Sequence, residues 1–242
     1  MKLKRFDTYN ALSAAAAEEI LSCVNKKPES VLCLATGDTP LKTYQILVEQ
    51  VVANQLDFSK VHFVGLDEWV GIPPENSGSC RFFLTKNLFE PLQIAVDHIH
   101  LFDAQSPEIK SECLKMDNVI DSLGGIDLLI VGIGMNGHVG FNEPGVSLNL
   151  RSHVIKLDEV TQTVGQKYFE QRVELKEGIT LGFQNILAAR AVIAMANGIK
   201  KAAIVKKMME GKITANCPAS ILRNHFNCYS FLDSQAASQL SK

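Results

Sequence analysis

Short apolar runs alternate with amphipathic stretches along most of the chain. The apolar runs, which are rich in β-branched residues, predict strands at 30–35, 61–66, 126–131, 191–196 and 228–232. The amphipathic stretches predict helices at 8–25, 40–54 and 199–211, the second with a proline in its first turn. Strands separated by helices favour right-handed crossovers. We therefore predict one doubly wound α/β domain over residues 1–242, with a mostly parallel sheet and helices on both faces.

Composition narrows the classes of function. A net charge of −2 gives no reason to expect a nucleic-acid partner, whose binding surface is basic. No apolar run reaches the roughly 18 residues of a membrane span, and the basic N-terminus leads into no apolar segment typical of a signal peptide. We expect a cytoplasmic protein with no membrane partner. The six cysteines form no C-x-x-C pair, which predicts buried, reduced thiols and no metal cluster.

The first loop with candidate chemistry is LATGDTP, residues 34–40, between a strand and a helix. Ligands bind to doubly wound sheets at the carboxyl ends of the strands. Free N–H groups at the helix start, together with the hydroxyls of Thr36 and Thr39 around Gly37, predict a phosphate site. An ordinary junction capped by Thr39 explains the pattern equally well. Asp38 counts against a phosphate unless its carboxylate points away.

The second loop is FVGLDEWVG, residues 63–71, in which Asp67 and Glu68 follow an apolar strand. A partly desolvated carboxylate can serve as general base for a carbon acid beside a carbonyl. A solvated pair of loop residues is the alternative. Neighbouring side chains tend to point in different directions, so at most one should face a substrate. Asp67 is the better candidate because it lies closer to the strand end.

The third loop is GIGMNGHVGFNEPG, residues 132–145. It fits the spelling of a dinucleotide fingerprint, and Asp158 stands roughly 20 residues further on. However, the fingerprint should come early in the fold and lead directly into an apolar helix, whereas this segment is broken by proline and glycine. Its glycines suit a backbone that passes close to a ligand. His138 could exchange a proton near neutral pH, with Glu143 orienting it or setting its charge.

The fourth loop precedes the lysine-rich helix, where Lys200 and Lys201 fall at the helix start. Cations are unfavourable at that end of a helix unless an anion is bound. A solvated basic face explains Lys206 and Lys207 better than it explains Lys201. Taken together, the four loops predict proton-transfer chemistry on a small phosphorylated metabolite.

Five segments, in order, resemble the glucosamine-6-phosphate deaminase/isomerase family. They read LATGDTPLKTYQILVE, LDEWVG, GIGMNGHVGFNEPG, GITLG and CPASILRNH, and span about residues 30 to 225. The resemblance implies a doubly wound fold and isomerisation of an aldose to a ketose with loss of ammonia, without metal or organic cofactor. His138, supported by Glu143 and Asn136, would open the sugar ring, and Asp67 would carry the proton from C2 to C1.

The chain departs from the family pattern at several places. Many members have aspartate at the position of Asn136, glycine at Asp38, tyrosine at Trp69 and a phosphate-binding arginine where this chain has Lys167. Lysine keeps the charge but loses the bidentate fork of arginine. Lys201 matches the other phosphate lysine of the family. The departures resemble the galactosamine-6-phosphate branch, so we expect galactosamine 6-phosphate to be converted to tagatose 6-phosphate. Conversion of glucosamine 6-phosphate to fructose 6-phosphate is the alternative.

Two further alternatives are a 6-phosphogluconolactonase and a non-catalytic sugar-phosphate sensor. The NEPG segment with Asp67 argues against the lactonase, and the absence of a basic helix-turn-helix appendage argues against the sensor. His153 and Ile155 stand where basic contacts to an activating sugar phosphate would be expected, so we predict no such activation. The sequence leaves the oligomeric state open.

Overall fold

The structure is a computed structural model that describes residues 1–241. These residues form ten strands, seven α-helices and several shorter 3-10 or π-helical turns. The strands are β1 Lys2–Phe6, β2 Val31–Leu34, β3 His62–Gly65, β4 Asp67–Trp69, β5 Ile99–His100, β6 Leu128–Gly132, β7 His153–Lys156, β8 Glu177–Thr180, β9 Val192–Ala196 and β10 Cys228–Asp233. The helices are α1 Tyr9–Lys26, α2 Asp38–Asn54, α3 Cys80–Leu84, α4 Ile109–Ser122, α5 Glu159–Gly165, α6 Phe183–Ala188 and α7 Ala202–Glu210.

Seven strands form a parallel sheet in the order β1-β10-β9-β6-β2-β3-β5. Its central strands are buried and apolar, as strands covered on both faces should be. The five predicted strands correspond to β2, β3, β6, β9 and β10, and the three predicted helices to α1, α2 and the segment ending in α7. The predicted α/β class is confirmed.

Two apolar clusters cover the two faces of this sheet. Leu32 and Leu34 of β2 pack with buried residues of α1 and α2, whereas Cys33 packs with residues of α4, α6 and α7. Successive strand residues point to opposite faces, so one short run supplies both cores. The result is a three-layer arrangement in which helices lie on both sides of the sheet.

The chain reverses direction across the sheet between β2 and β6. From β2 it proceeds outward through β3 to β5, and it then returns to β6 on the other side of β2 and continues to β9 and β10. Such a switch leaves a crevice at the carboxyl ends of the two strands. The loops that follow β2 and β6 are the 34–40 and 132–145 segments.

Several elements differ from the prediction. The sequence pattern did not indicate β1, β5, or a second, antiparallel sheet of order β4-β8-β7. Helix α2 begins at Asp38, two residues before the predicted start, and its N-cap is Gly37, so the alternative in which Thr39 caps the helix is wrong. Lys201 ends a 3-10 turn, Ile199–Lys201, and α7 follows it.

Residues 1–241 contain no helix whose length and apolarity would allow it to cross a bilayer. The six cysteines are unpaired, and five of them are buried, while Cys23 is half-buried.

Candidate active site

The four chemistry-bearing loops meet at one edge of the parallel sheet, around a cavity of about 200 Å³. This convergence follows from topology, because the loops leave the carboxyl ends of β2, β3, β6 and β9. Seven of the predicted site residues line the cavity: Thr36, Asp38, Thr39, Asp67, His138, Lys167 and Lys201. The other three, Gly37, Asn136 and Glu143, are not among the lining residues.

Asp67 and Glu68 face different surroundings, as their adjacency in a strand predicts. Asp67 lines the cavity. Glu68 is buried, and its carboxylate accepts hydrogen bonds from the backbone N–H groups of Trp69, Cys80 and Arg81 at 2.8–2.9 Å. Glu68 thus fixes the first turn of α3 against β4, and Asp67 is the member of the pair that is available to a substrate.

Asp67 is an unusually weak acid for an aspartate side chain. Burial raises its pKa to about 7, and the neighbouring charge of Glu68 contributes to the increase. A carboxyl group that is half ionised near pH 7 is suited to take a proton from carbon and give it back. Asp67 is thus chemically able to act as the general base that the sequence predicts.

His138 is held by a set of buried partners. Its Nδ1 lies 2.9 Å from the hydroxyl oxygen of Thr161 and 3.5 Å from Oε2 of Glu143. The side chain of Asn136 donates to the same Oε2 at 2.8 Å and accepts from the backbone N–H of His138 at 3.1 Å. Because Nδ1 is occupied, Nε2 is the ring nitrogen left for a ligand.

The loop glycines make room for this ring. A Cβ at Gly134 would lie 2.4 Å from Nε2 of His138, which no side chain could tolerate. Burial alone would raise the pKa of Glu143, but the hydrogen bond and charge of His138 outweigh it, and the pKa is lowered. Glu143 is therefore an anion near neutral pH.

Two lysines, Lys167 and Lys201, line the same cavity. Lys201 is half-buried and donates from Nζ to the carbonyl oxygen of Ile133 at 2.6 Å. Its burial, together with the charge of Lys167, lowers its pKa to about 8, and Asp38 opposes the shift. The charge of Lys167 disfavours the charged form of Lys201, and an anion bound near both would offset this repulsion, so the two lysines favour a phosphate.

Asp38 pairs with Lys167 across the cavity rim, with Oδ2 and Nζ 2.5 Å apart. Both side chains are largely exposed. Burial alone would lower the pKa of Lys167, but the hydrogen bond that its ammonium group donates to Asp38 raises it. The question that the sequence raised about Asp38 thus has a structural answer: its carboxylate is directed to Lys167.

The turn between β2 and α2 contains close backbone packing. Gly37 has φ of 102°, and a Cβ there would lie 2.9 Å from the hydroxyl oxygen of Tyr168. The hydroxyl of Thr39 donates to the side-chain oxygen of Asn197 at 2.9 Å, which ties this turn to the loop after β9. Only glycine suits the position of Gly37, since both its φ and its neighbour exclude a side chain.

The cavity-lining residues that sequence reasoning missed include Thr161, Tyr168 and Cys80. Thr161 and Tyr168 belong to α5 and the 3-10 turn after it, a stretch without a clear pattern. Lys200 is exposed and does not line the cavity, unlike Lys201. Within residues 1–241, no group of three or more His, Cys, Asp or Glu side chains is placed to hold a metal ion.

Comparison with known proteins places the chain in a family. Residues 5–229 match the family described as glucosamine-6-phosphate isomerases/6-phosphogluconolactonase. A glucosamine-6-phosphate deaminase of Clostridium tetani is 43% identical over 98% of this chain and 99% of its own length. One of Geobacillus sp. is 37% identical over 98% of this chain and 95% of its own.

Solved structures agree with this placement. A monomeric glucosamine-6-phosphate deaminase superposes with a TM-score of 0.96 at 34% identity, covering 99% of this chain and all of the other. A 6-phosphogluconolactonase from Trypanosoma brucei superposes with a TM-score of 0.78 at 20% identity, covering 99% of this chain and 98% of the other, which shows the shared fold alone. The chain therefore belongs to the glucosamine-6-phosphate isomerase/6-phosphogluconolactonase family.

Proposed function

We propose that the protein is a hexosamine-6-phosphate deaminase that isomerises its substrate, and that the substrate is glucosamine 6-phosphate. The observation that carries the proposal is a carboxyl group with a pKa of about 7 in the same cavity as a buttressed histidine and two adjacent lysines. Two relatives and one solved structure, 34–43% identical to this chain, bear the name glucosamine-6-phosphate deaminase. They favour the gluco sugar over the galacto sugar of the sequence-based expectation.

The proposed reaction starts with ring opening. His138, through Nε2, moves a proton between the anomeric hydroxyl and the ring oxygen, and the charge of Glu143 supports the imidazolium that forms. Lys167 and Lys201 hold the 6-phosphate, and Lys167 exchanges its contact with Asp38 for one with the phosphate. The open-chain aldehyde then lies with C1 and C2 between the histidine loop and Asp67.

Isomerisation and deamination follow. Asp67 removes the proton from C2, and the electron pair forms the C1–C2 double bond while the carbonyl π electrons of C1 move to O1. O1 takes up a proton from solvent, which gives an enolamine. Asp67 returns the proton to C1, and the nitrogen electrons form a C2 imine. Water adds to that imine and ammonia leaves, which gives the ketose 6-phosphate. The proton transfer from C2 to C1 uses a carboxyl group whose pKa of about 7 lies near neutral pH, the condition under which such groups are most effective.

Galactosamine 6-phosphate remains a second candidate for one reason. Three of the four positions that depart from the usual family pattern and suggest the galacto branch, Asp38, Trp69 and Lys167, line the cavity. Changes there can alter substrate preference, whereas changes elsewhere on the surface could not. The two sugars differ only in the orientation of the C4 hydroxyl.

The test is ammonia release from glucosamine 6-phosphate and galactosamine 6-phosphate at equal concentrations, with 6-phosphogluconolactone hydrolysis measured in parallel. We expect ammonia and fructose 6-phosphate from the gluco sugar at the higher kcat/KM. A clear galacto preference would assign the other substrate. Hydrolysis of the lactone without ammonia release would assign the lactonase activity, and binding without any turnover would indicate a sensor.

A further inference from the structure

Cys80 lies beside the proposed base and has no part in the mechanism above. It is the first residue of α3, 6% exposed, and it lines the cavity. Its backbone N–H donates to Oε1 of Glu68 at 2.9 Å, so its position is fixed relative to β4. Its side chain joins two residues of the site: Sγ lies 3.6 Å from Oδ1 of Asp67, and the hydroxyl of Thr36 donates to Sγ at 3.2 Å.

These contacts define the direction of the thiol proton. Burial raises the pKa of Cys80 well above its ordinary value, and the charges of Glu68 and Asp67 add to this effect, so the group is a neutral thiol. A thiol has one proton to donate. Since Thr36 donates to the sulfur, that proton is free to point at Asp67. A neutral, buried thiol of this kind is a poor nucleophile, which excludes a covalent role for Cys80.

The two oxygens of Asp67 then have different environments. Oδ1 faces Cys80, whereas a Cβ built on Gly140 would lie 3.5 Å from Oδ2, so Oδ2 faces the loop that carries His138. A carboxylate held through one oxygen presents the other in a fixed direction. This is the geometry that removal of a proton from one carbon and its return to the next requires.

We propose that Cys80 is a positioning residue: its thiol, itself oriented by Thr36, donates to Oδ1 of Asp67 and directs Oδ2 toward the substrate. The inference rests on the proposed function only in that it takes Asp67 as the base. The hydrogen bond favours the charged form of Asp67, and so limits the rise in pKa that burial and Glu68 cause.

The other titratable groups near Asp67 do not replace this contact. Cys33 of β2 and Tyr44 of α2 are fully buried, and burial raises the pKa of each well above its ordinary value, so both are neutral. Tyr44 donates its hydroxyl proton to the carbonyl oxygen of Ala35. Glu68 is the charged neighbour on β4 itself, and His138, Lys167 and Lys201 line the same cavity.

The experiment measures the pKa of Asp67 directly in the free protein, by titration of its ¹³C-labelled side-chain carboxyl in NMR spectra. The variants are Cys80→Ala, Cys80→Ser and Thr36→Val, with Cys113→Ala as the matched control at a buried thiol of α4 that does not line the cavity. Cys80→Ala should raise the pKa of Asp67 by roughly 0.5 to 1 unit, the equivalent of one weak hydrogen bond. Cys80→Ser, which keeps a donor, and Thr36→Val should shift it less, and Cys113→Ala should not shift it.

The acid limb of the kcat/KM pH profile should shift by amounts that follow the same order among the variants. The double variant Cys80→Ala/Thr36→Val should shift the pKa of Asp67 by less than the sum of the two single shifts. An unchanged pKa in both Cys80→Ala and Thr36→Val, or an equal shift in Cys113→Ala, would overturn the inference. Because the NMR titration needs no substrate, it is independent of the proposed function, which fails separately if the wild type releases no ammonia. Should Cys80→Ala not fold, Cys80→Ser and Thr36→Val decide the question alone.

Discussion

Asp67 and Glu68 are consecutive carboxylates with opposite roles in β4. The carboxylate of Glu68 accepts three backbone hydrogen bonds in the interior, while Asp67 faces the cavity with its pKa raised to about 7. Glu68 both anchors the loop before α3 and, through its charge, contributes to the high pKa of its neighbour. The sequence alone could also explain Asp67 and Glu68 as a solvated pair of loop residues. In the structure, Glu68 is a structural anchor and Asp67 is a candidate base.

Replacing Glu68 with Gln should separate these two effects. The pKa of Asp67 should fall because a negative charge is lost, so the acid limb of kcat/KM should move to lower pH. The protein should also lose about 1–3 kcal/mol of stability, because an amide has only one oxygen for three N–H donors. Urea unfolding and a pH profile measure both effects. Glu177→Gln, at an exposed position of β8, is the matched control, and an acid limb that moves upward or stays in place in Glu68→Gln would contradict the account.

The pKa of Lys201 leads us to expect that substrate binding weakens at high pH. Its pKa of about 8, caused by burial and by Lys167, means that it loses its charge as the pH rises through that value. The KM for the phosphorylated sugar should therefore increase above about pH 8. Lys201→Arg should remove the dependence because a guanidinium stays protonated. A KM that is flat to about pH 9.5 in the wild type would show that Lys201 does not hold the phosphate.

Asp38 should weaken phosphate binding by competing for Lys167. Asp38→Asn removes the competing charge, so the KM and the inhibition constant of inorganic phosphate should each fall about twofold to fivefold, the range expected for an exposed ion pair worth under 1 kcal/mol. Lys167→Ala should have the opposite effect. If Asp38→Asn instead raises the KM, then Asp38 contacts the substrate, and its pairing with Lys167 is incidental.

Replacing Asn136 with aspartate, the residue that many members of the family carry at this position, should destabilise the protein. In this chain its amide donates to Oε2 of Glu143 at 2.8 Å, and Asn136→Asp would set two carboxylates at that distance. One of them should then hold a proton with a raised pKa. Stability should fall as the pH rises through that pKa, by an amount on the order of 1–3 kcal/mol. Thermal unfolding at pH 5 and pH 8 tests this, and equal losses at both pH values would refute it.

The parallel sheet and the edge that carries the site could be predicted from sequence because each depends on local signals. A continuous apolar run such as Leu128–Gly132 indicates a buried strand, and glycine and polar residues that follow it mark a strand-end loop. Parallel topology then brings such loops together, whatever their separation in sequence. Asp67, His138 and Lys201 were predicted in this way.

The second sheet and its consequences could not be predicted in that way. Strand β4 has three residues, and it pairs with β8 more than 100 positions away, so no local period indicates it. The hairpin of β7 and β8 carries α5 over the cavity, and this long-range pairing brings Thr161 to His138. The ion pair of Asp38 and Lys167 joins residues 129 positions apart for the same reason. Such contacts follow from tertiary packing, and no local pattern in the sequence indicates them.

The most direct test of the account is solvent deuterium incorporation with Asp67→Asn. In D₂O the wild type should place deuterium at C1 of the ketose product. The variant should incorporate none and release no ammonia, while it binds the sugar phosphate with a Kd within about threefold of the wild type. The variant should also fold, and its stability relative to the wild type should be greater at pH 8 than at pH 4. The reason is that the wild type loses stability as the pH rises and its buried carboxyl group, with a pKa of about 7, ionises. Normal turnover and exchange in Asp67→Asn would contradict the central claim that Asp67 is the base.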